Sequence, residues 1–113
     1  MKYLNGFLFF SLLIAQSLDD RYHSVEEIYG VLDSLDQIDE ISDYFHLDTI
    51  GFSSQENIPI LAVRISDNAH IKEDEPRVLF IGQVHAEEIL GVEIVMDLIN
   101  DLLFPDPSIL SHM

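Results

Sequence analysis

Five histidines and 21 aspartates and glutamates supply the metal-ligating side chains of this 113-residue chain, because cysteine is absent. Without thiols there is no disulfide framework, thiol nucleophile, iron–sulfur cluster or thiolate zinc site. A metal centre would have to combine imidazole with carboxylate. Three His-x-x-Glu spacings occur: His23 with Glu26, His70 with Glu73, and His85 with Glu88. Recurrence in one short chain makes the spacing alone weak, so context must separate the three. His23 precedes Ser24 and Glu27, which already read as a helix cap, and His70 lies in a charged loop. Only His85 follows an unbroken apolar run, Val78-Leu79-Phe80-Ile81, of the kind a strand covered on both faces shows.

Ligands of open α/β sheets collect outside the carboxyl ends of strands. An imidazole and a carboxylate three residues apart across a helix start can point to one spot, each reaching zinc at about 2 Å. His85 and Glu88 are therefore candidate metal ligands. The alternative is a surface histidine followed by Glu87 and Glu88, two acids favourably placed at a helix N-terminus. His85-Ala86-Glu87 also matches the His-x-Glu of zinc deaminases, but their downstream Pro-Cys-x-x-Cys has no counterpart here. The carboxylates Asp33, Asp36, Asp39, Glu40 and Asp43 lack the calcium-loop pattern with its central Gly and read as a solvated face.

The elements that position these residues follow an α/β order. Ser24-Val25-Glu26-Glu27 is a capping box, and Val25, Ile28, Leu32 and Leu35 recur at helical spacing, predicting a helix over 25–38. Segments 44–52 and 60–66, separated by a polar turn, predict a β-hairpin, with Pro59 suited to the first position of a strand. The charged loop 67–77 leads to the expected buried strand at 78–81. A second helix is expected over 87–103, with Ile89, Ile94, Val95, Leu98, Ile99 and Leu102 inward and Glu93, Asp97 and Asp101 as an acidic stripe outside.

Composition bounds the partners. Five Lys and Arg against 21 acids give a net charge of -16, which argues against nucleic acid. A hydrophobic content of 48% argues against disorder. Residues 1–17 have the layout of a signal peptide: Lys2, an apolar stretch from Leu4 to Ala15, then Ala15-Gln16-Ser17. The expectation is an exported protein, secreted or periplasmic, with no stable membrane span after cleavage, since the apolar run falls short of about 20 residues.

Three segments, in order, resemble the start of the catalytic domain of the zinc carboxypeptidase family, of the carboxypeptidase A and B type. Tyr22-His23-Ser24-Val25-Glu26-Glu27-Ile28 is similar to its opening. Residues 50–68 (IGFSSQENIPILAVRISDN) are similar to its first hairpin. Residues 76–91 (PRVLFIGQVHAEEILG) are similar to its strand, Gly-Gly-x-His-x-x-Glu motif and helix. The resemblance implies an incomplete three-layer, mixed-sheet α/β domain over 18–113 (helix, β-hairpin, buried strand, helix), the amino-terminal part of a catalytic domain. It implies a Zn2+ cofactor held by His85 and Glu88, with Glu87 not ligating, and a peptide or protein substrate cleaved at its carboxy-terminal peptide bond.

The family's third ligand, a histidine, its general-base glutamate and its substrate-binding arginines lie far downstream. No residue here matches them, His112 included, so the chain alone is expected to be an inactive fragment. Two departures stand out. Asn57-Ile58-Pro59 replaces a Gly-Arg-Pro-like step, so Ile58 cannot supply a substrate-facing arginine. Gln83 replaces the second Gly of Gly-Gly-x-His. Three alternatives stay open: a related amidohydrolase acting on acylated amino acids or cell-wall peptides, a non-catalytic exported binding module, and a small acidic exported protein with a coincidental motif.

Overall fold

The computed structural model describes residues 21–110. The expected signal peptide at 1–17 and His112 lie outside the described residues. The elements in chain order are α1 (Val25–Asp36), a single 3-10 turn (Asp39–Ile41), β1 (Phe45–Phe52), β2 (Pro59–Ile65), α2 (Ile89–Leu103) and the short α3 (Pro107–Leu110).

Helix α1 begins where its sequence says it should. The Ser24 hydroxyl accepts from the Glu27 N–H at 3.2 Å, and the Glu27 carboxylate accepts from the Ser24 N–H at 2.8 Å. Two otherwise orphaned donors are thereby satisfied. Leu32 is buried, with Ile28 and Leu35 packed beside it. Val25, expected on the same stripe, is exposed in the first turn. The helix ends two residues earlier than expected, and the 3-10 turn that follows carries Ile41 into the core.

β1 and β2 form the antiparallel hairpin, with Phe45 opposite Ile65 and Leu47 opposite Val63. Pro59 opens β2, where its missing N–H costs no ladder bond. Thr49 pairs with Leu61 and Gly51 with Ile60, which leaves Ile50 as the extra residue of a β-bulge. Asn57 bends the connecting turn at φ 54°, a left-handed conformation that Asn tolerates better than most residues. The Tyr29 hydroxyl of α1 donates to the Pro59 carbonyl, tying the first helix to the start of β2.

The core is one small cluster. Leu32, Ile41, Phe45 and Ile99 are buried together, and Leu61, Val63, Val95 and Met96 pack against them. α1 lies against β1 and α2 against β2. The α/β class therefore stands, but the expected buried strand at 78–81 does not form among the described residues. The sheet has two strands. Val78 and Leu79 are 78% and 81% exposed, and Phe80 and Ile81 are exposed as well. The run finds no ladder partner among the described residues, so it lacks the neighbouring strands and covering layers that a buried strand has.

The capping box carries a pH signature. The hydrogen bonds from Ser24, its backbone N–H first, hold the Glu27 carboxyl below its ordinary 4.5. A depressed folded-state value contributes stability that is complete above the unfolded value and is lost as pH falls through the folded one. Lowering the pH from about 6 to about 3 should therefore lower the melting temperature more steeply in the wild type than in Glu27→Gln, which keeps an acceptor but not the titration. Parallel melting curves of the two proteins across that range measure the difference.

Candidate functional site

The turn between the apolar run and α2 is built on two glycines and one strained residue. A Cβ on Gly82 would stand 2.5 Å from the Gly91 carbonyl oxygen, and one on Gly91 would stand 3.0 Å from the Gln83 N. Only bare backbone lets segment 82–83 rest against the first turn of α2. Gln83 follows at φ 53°. A side chain in this left-handed region costs roughly 1–2 kcal/mol. The Gln83 amide offsets part of that by donating to the Ala86 carbonyl at 3.0 Å across the turn. The substitution of Gln for Gly in the motif thus falls at a position whose backbone favours glycine, and the side chain that replaces it braces the same turn.

This turn brings His85 and Glu88 together. The His85 Nδ1 lies 2.9 Å from Glu88 Oε1, and the His85 N–H donates to Glu88 Oε2 at 3.1 Å. The two side chains are 67% and 49% exposed, so their donor atoms face solvent. The bonds from the His85 ring and then from its backbone N–H lower the Glu88 pKa. Glu88 is the residue before α2, one position outside the first turn where it was expected, and its carboxylate does not cap that helix. Glu87 takes no part in the pair.

The other two His-x-x-Glu spacings do not converge. The His23 ring meets Glu93 of α2 at 2.7 Å instead of Glu26. The His70 ring bonds the Ser42 carbonyl at 2.7 Å and stacks at a tilt on His46, while Glu73 accepts from Asn68. Among the described residues, no third histidine or carboxylate joins His85 and Glu88. Among the described residues, the one group of three that could hold an ion is Asp67, Glu73 and Glu75, whose ligand atoms lie within 4.8 Å of one another. The sequence marked 67–77 only as a charged loop. The density of acids there was visible, but the fold of the loop that gathers them was not.

Glu93 is another residue that sequence reasoning misplaced. It was expected on the outer, acidic face of α2. Its side chain is only 18% exposed, because both oxygens are engaged by His23. In the described residues no helix is long and apolar enough to cross a membrane.

Comparison with known proteins gives one positive finding. The family model described as zinc carboxypeptidase matches residues 31–111, a span that includes the hairpin, His85 and Glu88. No curated protein and no solved structure matches the chain.

The glycine pair predicts an asymmetry. Gly82→Ala should destabilise the protein by about 1–3 kcal/mol, the usual range for overpacking against rigid neighbours. Gly91→Ala should cost less, because its Cβ has more room and alanine regains up to about 1 kcal/mol of helix propensity. Urea unfolding of the two variants beside the wild type checks the order.

Proposed function

Because the chain belongs to the zinc carboxypeptidase family, we propose that His85 and Glu88 are two ligands of a zinc ion serving hydrolysis of carboxy-terminal peptide bonds. The observation that carries this reading is the convergence of the His85 Nδ1 and Glu88 Oε1 at 2.9 Å on a solvent-open turn. Two ligands about 2 Å from a tetrahedral zinc stand roughly 3.3 Å apart, so a small opening of the pair would admit the ion. The donor set fits zinc: one imidazole nitrogen and one carboxylate, both reachable from solvent.

The residues around the pair support the same reading. The His85 N–H fixes Glu88 Oε2, which leaves Oε1 turned towards the ring. Such outer bonds orient ligating carboxylates. The bonds from His85 favour the ionised form of Glu88, the form a ligand must take. Zinc, when bound, polarises the scissile carbonyl and lowers the pKa of a bound water. Two protein ligands are fewer than the usual three of a catalytic zinc site, and no residue here matches the family's general base. The 113-residue chain by itself is therefore assigned a zinc-binding but non-hydrolytic state. Peptides or proteins are the substrate class, and the signal-peptide layout of residues 1–17 supports export.

One observation favours a second reading, a related amidohydrolase or a binding module. Ile58, exposed in the hairpin turn, stands where the resemblance leads one to expect a substrate-facing arginine. An apolar side chain there cannot pair with a substrate carboxylate.

Calorimetric titration of the metal-free chain with zinc should show binding that His85→Ala and Glu88→Ala each weaken by at least about tenfold. An affinity unchanged in both variants would place the ion elsewhere and sink the assignment. The zinc-loaded chain should show no release of carboxy-terminal aromatic or basic residues from peptides. Measurable turnover would reject the non-hydrolytic state.

A further inference from the structure

Besides its apolar packing, α2 is tied to the amino-terminal segment by the Glu93 carboxylate. Glu93 Oε1 accepts from the His23 backbone N–H at 2.7 Å, and Glu93 Oε2 lies 2.7 Å from the His23 Nδ1. The two residues are 70 positions apart in the chain. Both oxygens of the acid are used on one residue, which fixes the direction of the side chain as well as its distance. A surface ion pair held by one long, mobile side chain contributes little. This clamp has backbone on one arm and a side chain 18% exposed.

The position of Glu93 gives the clamp a consequence at the turn. Ile99, six residues further along α2, is buried in the core cluster. At 1.5 Å rise per residue, the core anchor and the clamp are about 9 Å apart along the axis. The helix is thus held by packing at Val95, Met96, Ile99 and Leu103, and two residues nearer its start by Glu93. Between the clamp and the turn lies Gly91, against whose carbonyl the Gly82 backbone rests. Glu88 sits about 7–8 Å before Glu93 on the same axis.

We propose that Glu93 is a positioning residue: by clamping the start of α2 to His23, it holds the platform on which the His85–Glu88 turn is formed. Its role in metal binding rests on the zinc reading above, whereas its role in ordering the turn does not. Glu93 itself is not a ligand, since both of its oxygens are taken by His23.

Amide hydrogen exchange on the full chain tests the ordering role without any metal. In Glu93→Ala, amides of residues 83–92 should exchange about tenfold faster, while those of β1 and β2 keep their protection, as expected for local opening. Glu93→Gln, which can still accept from the His23 N–H and donate to its ring, should restore most of that protection. Loss spread evenly over β1, β2 and α2, or no loss at 83–92, would overturn the proposal. A zinc titration run in parallel separates the two readings. A dissociation constant raised about three- to tenfold in Glu93→Ala and recovered in Glu93→Gln supports both. Faster exchange at 83–92 with zinc affinity unmoved in Glu93→Ala and in His85→Ala supports the clamp and rejects the zinc ligands.

Discussion

The burial of Ile99 in one cluster with Phe45 is the packing on which the rest depends. Phe45 is 2% exposed, and around it Leu32, Ile41 and Ile99 each come from a different segment. A buried aliphatic or aromatic side chain contributes about 1.5–3 kcal/mol, so four of them offset only part of the chain entropy of a domain this size. With so little apolar glue, α2 gains from its polar attachment through Glu93, and the turn before it gains from the bare backbone contact of Gly82 and Gly91. The site geometry is therefore a consequence of how α2 is moored.

Much of this arrangement was legible in the sequence wherever the determining residues are neighbours. Ser24 and Glu27 are three apart and specify the α1 start by their own hydrogen bonds. The hairpin declares itself through two β-rich segments and a polar turn, and Pro59 takes the strand position its chemistry allows. The larger misreadings depend on distant partners, whereas Val25, Ile94 and Leu102 were placed on an inward stripe and are exposed. The run 78–81 has the composition of a covered strand, but composition records what a segment could bury against, not whether a partner is there. Glu93 fits a regular acidic stripe with Asp97 and Asp101, and nothing local reveals that His23 takes it inward. Likewise the three His-x-x-Glu spacings are identical on paper. His23 and His70 find partners 70 and 28 positions away, and only His85 keeps its local carboxylate.

Gln83 shows how a departure from a motif can be read physically. Its backbone is left-handed, the conformation for which glycine is the low-cost choice. The turn keeps that conformation with a glutamine because the side chain bonds the Ala86 carbonyl across the same turn. The motif's spacing is thus preserved by backbone geometry even where one of its residue types is not.

The behaviour of Glu88 bears on the simplest competing account of the pair, in which an acid at a helix start merely offsets the helix dipole. An acid serving that purpose would turn its carboxylate onto the free N–H groups of the first turn. Glu88 occupies the cap position of α2 but makes no capping bond. Its oxygens turn back instead, to the His85 N–H and the His85 ring. The carboxylate is committed to an imidazole that is itself 67% exposed. The pair is therefore held by its own mutual bonds, from the His85 N–H and the His85 ring, rather than by a cap on the helix that follows.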